Sequence, residues 1–587
     1  MKLSDYVIDF LVKQKVDHIF EICGGAITHL LDSVYDRNDI KLIPMHHEQT
    51  AAFAAEGYAR INGNIGVAMA TSGPGATNLI TGIGSCYFDS IPCLFITGQV
   101  NTYEFKFKKP IRQLGFQETD IVSMVKPIVK DSVLIEDARE IRYQLERLVY
   151  IAKSGRQGPV LLDIPMNVQR AEINPRTLKA FKKDTIAKSP SKIKDNVLTK
   201  VADLIHNSSR PLVLVGGGLR LSQASEELYD FINKTNIPVV STLIGKDAFS
   251  NNNEQFVGMM GTYGLRYANL SVANADLVII LGARLDTRQT GTKPDTFSRG
   301  AKIVHVDVDV NELNSKVLVD IAIHADIKVF LQRINKIIKK YNTKKAAPWR
   351  KVIQQYKKKY AQNNSSKGEI DPNLFLEDMS KYMPKNSMVC VDVGQHQMWA
   401  AQSLQIKKQQ RFLTQGGMGA MGSALAFAIG ACFAKPGVTA VVVTGDGGFQ
   451  LNLQELQTVY YYQLPIKIIM LNNSCYGMVR QFQEQYFKSR FQSTVIGYNA
   501  PDFQKVSSSF KIKSCKLDSQ KQIVPKLKSL FKDNKPVFLE VIINSGTKVL
   551  PKLSVNRPIE DQEPLLSRKE LQDNMQIEMV KEYKSEF

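Results

Sequence analysis

Between residues 439 and 477 the chain reads TAVVVTGDGGFQLNLQELQTVYYYQLPIKIIMLNNSCYG, and this stretch restricts the fold more than any other. A β-branched run from Ala440 to Thr444 has the length and composition of a parallel strand buried on both faces, and it stops at Gly445-Asp446-Gly447. Leu451, Leu453, Leu456 and Val459 then recur at near-helical spacing, and a second apolar run, Pro465 to Leu471, ends at Asn472-Asn473. The pattern is one βαβ unit. Right-handed crossover brings the carboxyl ends of both strands to one edge of the sheet, so Asp446 and Asn473 converge there as hard oxygen ligands. Such a pair suits Mg²⁺, which takes oxygen in an octahedron and shares its sphere with phosphates. Read alone, the residues also allow an ordinary α/β unit with a Gly-Asp-Gly turn, because a short glycine motif is a weak signal.

At 587 residues the chain is long enough for about three or four domains, and 44% hydrophobic with 22% charged residues is a globular composition. No run approaches the roughly 20 apolar residues of a membrane span, and MKLSDYVIDF has no signal-peptide pattern, so a cytoplasmic protein without membrane association is expected. Seven scattered cysteines without zinc spacing read as reduced thiols. The net charge of +20 raises the question of nucleic acid. The lysines gather in helix surfaces and connectors such as 339–360, and no nucleic-acid motif accompanies them. A solvated basic surface is expected, with a basic cleft for anionic substrates left open.

Residues 1–172 alternate helix and strand patterns: SDYVIDFLVKQ with Ser4 as its N-cap, HIFEICGG, a helix through LLDSVYD, then KLIPMHHEQTAAFAAEGYAR. Glu48 follows a strand and opens a helix whose Ala51, Ala52, Ala54 and Ala55 permit close packing against a partner surface. A glutamate there also simply suits a helix dipole. In ATSGPGATNLITG (70–82), Gly73 and Gly75 either free amides for an anion at a helix start or make a tight turn. After a polar linker (183–195), a second α/β domain (190–345) repeats strands that end in glycine or a polar turn: PLVLVGGGL, IPVVSTLIG, ADLVIILGARLDTRQTG and AKIVHVDVDV. Sheets that end this way at their carboxyl edge are built for a nucleotide. The third domain spans 368–547. It holds VDVGQHQMWAAQ and a formal GxGxxG at Gly417, Gly419 and Gly422 that lacks the βαβ context of a dinucleotide site. The tail, 548–587, has little apolar periodicity and reads as a lid or as surface.

The GDG, the 24 residues from 448 to 471 and the NN resemble the metal and diphosphate motif of thiamine-diphosphate (ThDP) enzymes. QELQT, LPIK and GMVRQFQ resemble the acetolactate synthase (acetohydroxyacid synthase) large-subunit branch in particular. The resemblance covers residues 1 to about 550 and implies three consecutive doubly wound parallel-sheet domains: pyrimidine-binding, FAD-type and diphosphate-binding. It implies Mg²⁺ on Asp446, Asn473 and the Cys475 carbonyl. ThDP would meet Gly394, Gln395, His396, Gly445, Gly447, Gly448 and Met478, with Gln395 and His396 as neutral donors to the diphosphate. Gly419 would offer its carbonyl to the 4′-amino group and Met421 would hold the cofactor bent, although Met421 as plain core is an equal reading of the residues. Glu48 matches the glutamate that hydrogen-bonds N1′ of the aminopyrimidine from a dry site, and Gly25, Phe116 and Gln117 match positions around the reacting carbon. Arg156, Gly216, Gly217, Gly218, Thr242, Arg284, Arg288, Asp307 and Asp326 match FAD contacts.

The implied activity is decarboxylation of a 2-oxo acid such as pyruvate and transfer of the hydroxyethyl unit to a second 2-oxo acid. The implied assembly is a homodimer or homotetramer with active sites between subunits, open to a regulatory subunit. The acceptor pocket departs from the pattern: Met166 stands for a lysine, Thr262-Tyr263 for Met-His, Thr287 for an aspartate, Ile22-Cys23 for Tyr-Pro and Phe482 for a tryptophan. These changes motivate a second reading with another acceptor, such as a keto-sugar in surface-polysaccharide synthesis. A catalytically silent nucleotide- or nucleic-acid-binding protein is the reading of another class.

Overall fold

The computed structural model describes residues 1–107, 109–183, 193–338, 345–361 and 369–580; most of the expected linker (184–192) and the start of the basic connector (339–344) lie outside the described residues. The first sheet contains β1 (His18–Glu21), β2 (Lys41–Pro44), β3 (Gly66–Ala70), β4 (Cys93–Gln99), β5 (Asp131–Leu134) and β6 (Val160–Pro165). The second holds β7 (Pro211–Val215), β8 (Val239–Ser241), β9 (Phe256–Met259), β10 (Leu277–Leu281), β11 (Lys302–Asp307) and β12 (Ile321–His324). In the third are β13 (Met388–Val391), β14 (Arg411–Leu413), β15 (Ala440–Gly445), β16 (Ile466–Asn472), β17 (Lys513–Leu517) and β18 (Val537–Ile542). Every pairing within these three sheets is parallel. The central strands are buried from end to end, as the continuous apolar runs require.

Strand order separates two kinds of sheet. The first runs β2-β1-β3-β4-β6-β5 and the third β14-β13-β15-β16-β18-β17, the same order repeated, whereas the second runs β12-β11-β10-β7-β8-β9. The second order is that of a dinucleotide fold, and in each of the three sheets one pair of neighbouring strands sends its connections in opposite directions, leaving a crevice at the carboxyl ends of that pair. Those crevices lie between β1 and β3, between β7 and β10, and between β13 and β15.

The helix Glu48–Asn62 is almost entirely buried from Thr50 to Ala59. It lies between the helix Ile80–Asp89 of its own sheet and the helix Ser423–Ala434 of the third, so the surface its alanines pack against belongs to the same chain. At the amino terminus the first helix starts at Leu3 with Lys2 at the cap. Ser4 sits inside the first turn, where its buried hydroxyl accepts from Ser33 Oγ at 2.9 Å. The tail forms a short antiparallel hairpin, β19 (Lys552–Leu553) with β20 (Gln562–Glu563), then a helix Arg568–Asn574 whose Leu571 joins Ile559 and Trp349 in the core of the second unit. It straps that unit, through Leu553 N to Thr262 O at 2.7 Å, to the helix Gly477–Tyr486 of the third. The basic helix Ala347–Lys359 buries Trp349, Ile353 and Tyr356 and leaves Lys351, Lys358 and Lys359 in solvent.

Lys246 is the exception to this order. Its side chain is 1% exposed with the ammonium 5.6 Å from the Phe256 ring, and burial lowers its pKa from 10.5 to about 7. The unfolded chain therefore binds more protons than the native one between about pH 7 and 10.5, so stability rises with pH across that window. Lys246→Met is expected to stabilise the fold by about 1–4 kcal/mol near pH 7. Paired thermal melts should show the gain shrinking toward pH 10.

Candidate active site

The crevice of the third sheet collects the residues around the GDG. Asp446 starts a short helical turn after β15, Asn473 follows β16, and Asp392 to His396 follow β13. Asp446 is buried, which pushes its carboxyl upward, and Oδ2 accepts from the Tyr498 hydroxyl. Asn473 places one amide atom 3.2 Å from Asp446 Oδ1 and 2.9 Å from the Cys475 carbonyl oxygen. The identity of that atom decides what the cluster can do.

A chain of hydrogen bonds fixes it. Val549 donates its N–H to Gln481 Oε1 at 2.9 Å and accepts from Gln481 Nε2 at 3.1 Å, so Gln481 has one orientation. Gln395 must then direct Nε2 at Gln481 Oε1 (3.1 Å) and Thr547 O (3.0 Å), leaving Oε1 to accept from Asn473 Nδ2 at 2.9 Å. Turning Asn473 over would let its nitrogen donate to the two oxygens but would set oxygen against oxygen at Gln395. The Asn473 oxygen therefore faces Asp446 and Cys475. That oxygen lies 3.2 Å from Asp446 Oδ1 and 2.9 Å from the Cys475 oxygen with no hydrogen between, and its one donor, Cys475 N, is a long 3.4 Å away, an arrangement that costs free energy unless a cation sits there. The spacing is that of neighbouring ligands in a magnesium octahedron, about 2.9 Å for bonds of about 2.0–2.1 Å. Among the described residues no group of three His, Cys, Asp or Glu side chains forms a metal site, so this mixed carboxylate, amide and carbonyl set is the candidate.

Beside it lies a glycine-lined cradle. A Cβ on Gly394 would stand 2.4 Å from His396 Cε1 and one on Gly445 2.8 Å from His396 Nδ1, so the imidazole fills the space that two absent side chains leave. His396 is buried, its pKa falls to about 3, and its Nε2 has no partner: a neutral ring offers one free polar atom to the crevice. Gly447 and Gly448 admit Tyr476 and Asp392 in the same way. The expectation that Gln395 donates to a diphosphate is corrected, since its amide nitrogen is committed to Gln481 and Thr547 and its oxygen to Asn473. Met478 is half-buried against the hydrophobic core, and Met421 is half-buried at the loop end.

Glu48 lies at the crevice of the first sheet. Its Oε2 accepts from Asn78 Nδ2 at 2.9 Å and its Oε1 lies beside Gly75, so the SGPGATN segment supplies a donor to the chain's own carboxylate. Gly25 faces open space, Gln117 sits at φ +64° against Gly73, and Phe116 is 86% exposed. Loop 416–420 is largely exposed, with Gly419 at φ +70° and nothing within 4 Å of where its Cβ would be. Its ends are tied by side chains: Asp89 accepts from Gly416 N (3.0 Å) and Gly417 N (2.9 Å), Gln415 from Ala420 N (2.7 Å) and Asp392 from Gly422 N (2.8 Å).

Comparison with known proteins decides the family. Residues 1–124 match the N-terminal TPP binding domain of thiamine pyrophosphate enzymes, 198–334 their central domain and 392–541 their C-terminal TPP binding domain. The chain is 36% identical over 562 residues to the acetolactate synthase large subunit of Cyanidium caldarium, covering 93% of this chain and 94% of that one. It is 35% identical to acetolactate synthase 2, chloroplastic, of Nicotiana tabacum (94% and 83% covered) and 34% to acetolactate synthase 1, chloroplastic, of Oryza sativa subsp. japonica (94% and 86%). The chain belongs to the ThDP-dependent acetolactate synthase large-subunit family. ThDP is its cofactor, and Mg²⁺ and FAD are typical of the family.

The residues fit an FAD at the second crevice. A cavity of about 470 Å³ opens where β7 and β10 diverge, lined by Gly217, Gly218, Thr242, Arg284, Asp307, Asp326 and, from the first unit, Arg156. Burial raises Asp307 to about 6, and Arg156 bridges Asp309 (3.1 Å) and Glu312 (2.7 Å). Two expected contacts lie elsewhere. Gly216 is beneath the cavity, where its Cβ would meet Gly282 O at 2.0 Å, and Arg288 is turned over the Tyr263 ring at 5.8 Å. Asp326 spends its carboxylate as the cap of the helix Ile327–Ile337.

Sequence reasoning missed Tyr498, Gln481 and Asp89 as partners of Asp446, Gln395 and loop 416–420, because each is a lone polar residue far along the chain from what it holds. Only Gln481 had a signal, its place in GMVRQFQ. Gln395→Met releases the Asn473 amide, whose nitrogen then competes with the cation. The Mg²⁺ affinity in the presence of ThDP, read by titration with Mn²⁺ as a paramagnetic stand-in, is expected to fall about 10- to 100-fold.

Proposed function

We propose that the protein decarboxylates a 2-oxo acid, pyruvate foremost, and joins the remaining two-carbon unit to a second 2-oxo acid, giving acetolactate or a homologue. The three-oxygen cluster of Asp446, Asn473 and Cys475 carries this reading, in a chain 36% identical along nearly its whole length to a protein named acetolactate synthase large subunit. ThDP supplies the nucleophile and the electron sink when bound. The chain's own residues do the rest. Asp446, Asn473 and the Cys475 carbonyl would hold Mg²⁺, with the neutral His396 beside them. Glu48, steadied by Asn78, holds and moves a proton at N1′ of the aminopyrimidine. Gly419 presents its carbonyl to the 4′-amino group, and Gly25, Phe116 and Gln117 flank the substrate.

Phe116 and loop 416–420, both assigned to the site, stand open to solvent in the single chain. This supports a homodimer or dimer of dimers in which Glu48 of one chain completes the site of the other. The relatives' designation as large subunits supports a smaller regulatory partner. No helix among the described residues is long and apolar enough to cross a membrane. The seven free cysteines support a reducing compartment such as the cytoplasm. The relatives' shared name favours a 2-oxo acid over a keto-sugar as acceptor.

Incubation of the purified protein with Mg²⁺, ThDP, FAD and pyruvate is expected to release CO₂ and form acetolactate together, and Glu48→Gln to lower both by about 100-fold or more. Carbon dioxide without acetolactate would transfer the acceptor role to another carbonyl compound, and an unimpaired Glu48→Gln would remove Glu48 from the chemistry.

A further inference from the structure

The helix that carries Glu48 is held at its start by a carboxylate from far along the same chain. Glu455, in the QELQT segment, is fully buried. Its Oε1 accepts from His46 N at 2.9 Å and from the Thr50 hydroxyl, and its Oε2 accepts from the Thr458 hydroxyl at 2.7 Å. His46 and Thr50 bracket Glu48. Asn452 reinforces the same corner, with Nδ2 3.4 Å from Gln49 Oε1 and 2.9 Å from Gly422 O. No step of the reaction uses Glu455, and a buried carboxylate is costly to desolvate unless hydrogen bonds compensate it. Two of its three bonds come from the strand-to-helix corner that presents Glu48.

The geometry of a helix gives this arrangement a purpose. Thr50 is turned about 200° around the axis from Glu48, so Glu455 grips the back of the first turn while Glu48 faces Asn78 and Gly75 on the other side. Packing by itself fixes the first turn less firmly than the rest. The two helices meet mostly over small residues, Ala51, Ala54, Ala55, Gly57, Ala426 and Gly430, whose shallow ridges allow close approach, and the large pair between them, Phe53 against Phe427 with ring centroids 5.8 Å apart, lies beyond the first turn that carries Glu48. Directional bonds to a charged acceptor hold that turn. We infer that Glu455 is a positioning residue that sets the height and rotation of Glu48. The inference rests on the reading of Glu48 as the proton-handling group. Glu455 lies on the same segment as Asp446, so that segment carries a metal ligand for one site and, through the helix, holds the Glu48 that serves the other.

Three variants test it: Glu455→Gln, Thr50→Val and Glu48→Gln. In Glu455→Gln a single amide oxygen replaces two carboxylate oxygens and an N–H₂ faces donors, so amide hydrogen exchange over residues 46–50 of the ThDP-free protein is expected to speed up at least about 10-fold. In the loaded enzyme kcat is expected to fall about 10- to 100-fold, because small misplacements of a reacting group are that costly, with the KM for ThDP changed less than about 3-fold. Thr50→Val, which removes one bond, should show the same pattern more weakly and serves if Glu455→Gln does not fold. A folded Glu455→Gln with native exchange and native kcat overturns the proposal, as does a loss of ThDP binding in step with the loss of kcat. Full activity in Glu48→Gln would instead sink the reading on which the proposal rests, whatever Glu455 does.

Discussion

Two helices from distant parts of the chain approach so closely at two points that only glycine fits there, and the presentation of Glu48 depends on that contact. A Cβ on Gly57 would lie 2.4 Å from the Phe427 carbonyl oxygen, and one on Gly430 would lie 1.9 Å from that of Ala54. A methyl group at either point must force the helices apart, because packed interiors have no spare volume. The contact locks the first sheet to the third. It sets the distance between these two sheets of one chain, and together with the Glu455 bonds it sets how Glu48, at one end of the helix Glu48–Asn62, is presented.

The other end of that helix continues the lock with charge. Arg60 is nearly buried and donates to Glu56 (2.9 Å), Asp89 (2.8 Å) and Thr414 O (3.1 Å), and Asp89 in turn takes the two amides of Gly416 and Gly417. Burial pushes Glu56 upward against the pull of Arg60. At the neighbouring Asp247 burial also acts upward, and Arg220 and Arg411 together outweigh it, leaving that carboxyl below its usual range. Both clusters border the flavin cavity. The same buried charges thus define a wall of the nucleotide site and tie down the loop that carries Gly419 and Met421. Removing one partner from such a cluster strands the others in low dielectric, which makes it a rigid joint more than a source of stability.

Much of this was legible in advance. The buried strands, their glycine ends and the βαβ unit around Asp446 and Asn473 follow from apolar runs and turn residues, which act over a few positions. The same is true of the alanine face of the Glu48 helix. The site was legible as a set of residue types and was wrong in its bonding. Gln395 looked like a donor to phosphate and proved to be a spacer that aims Asn473. Arg288 looked like a flavin contact and lies on Tyr263, a residue that departs from the family pattern. Glu455 sits four residues before Val459 on an otherwise apolar row, a charged residue where the pattern expects none, and that anomaly and its place in QELQT were its traces.

The sequence by itself determined the elements, the three-sheet architecture and the chemistry of the ligands, because secondary structure and turn geometry depend on neighbours within a few residues. Only the tertiary structure decided which way the Asn473 amide points, which carboxylate holds the activator helix and which side chains anchor loop 416–420. Those outcomes depend on hydrogen-bond partners brought together from positions as far apart as His46 and Glu455, or Asp89 and Gly417. A donor finds its acceptor only after the sheets have packed, and nothing local in the chain records which one it will be.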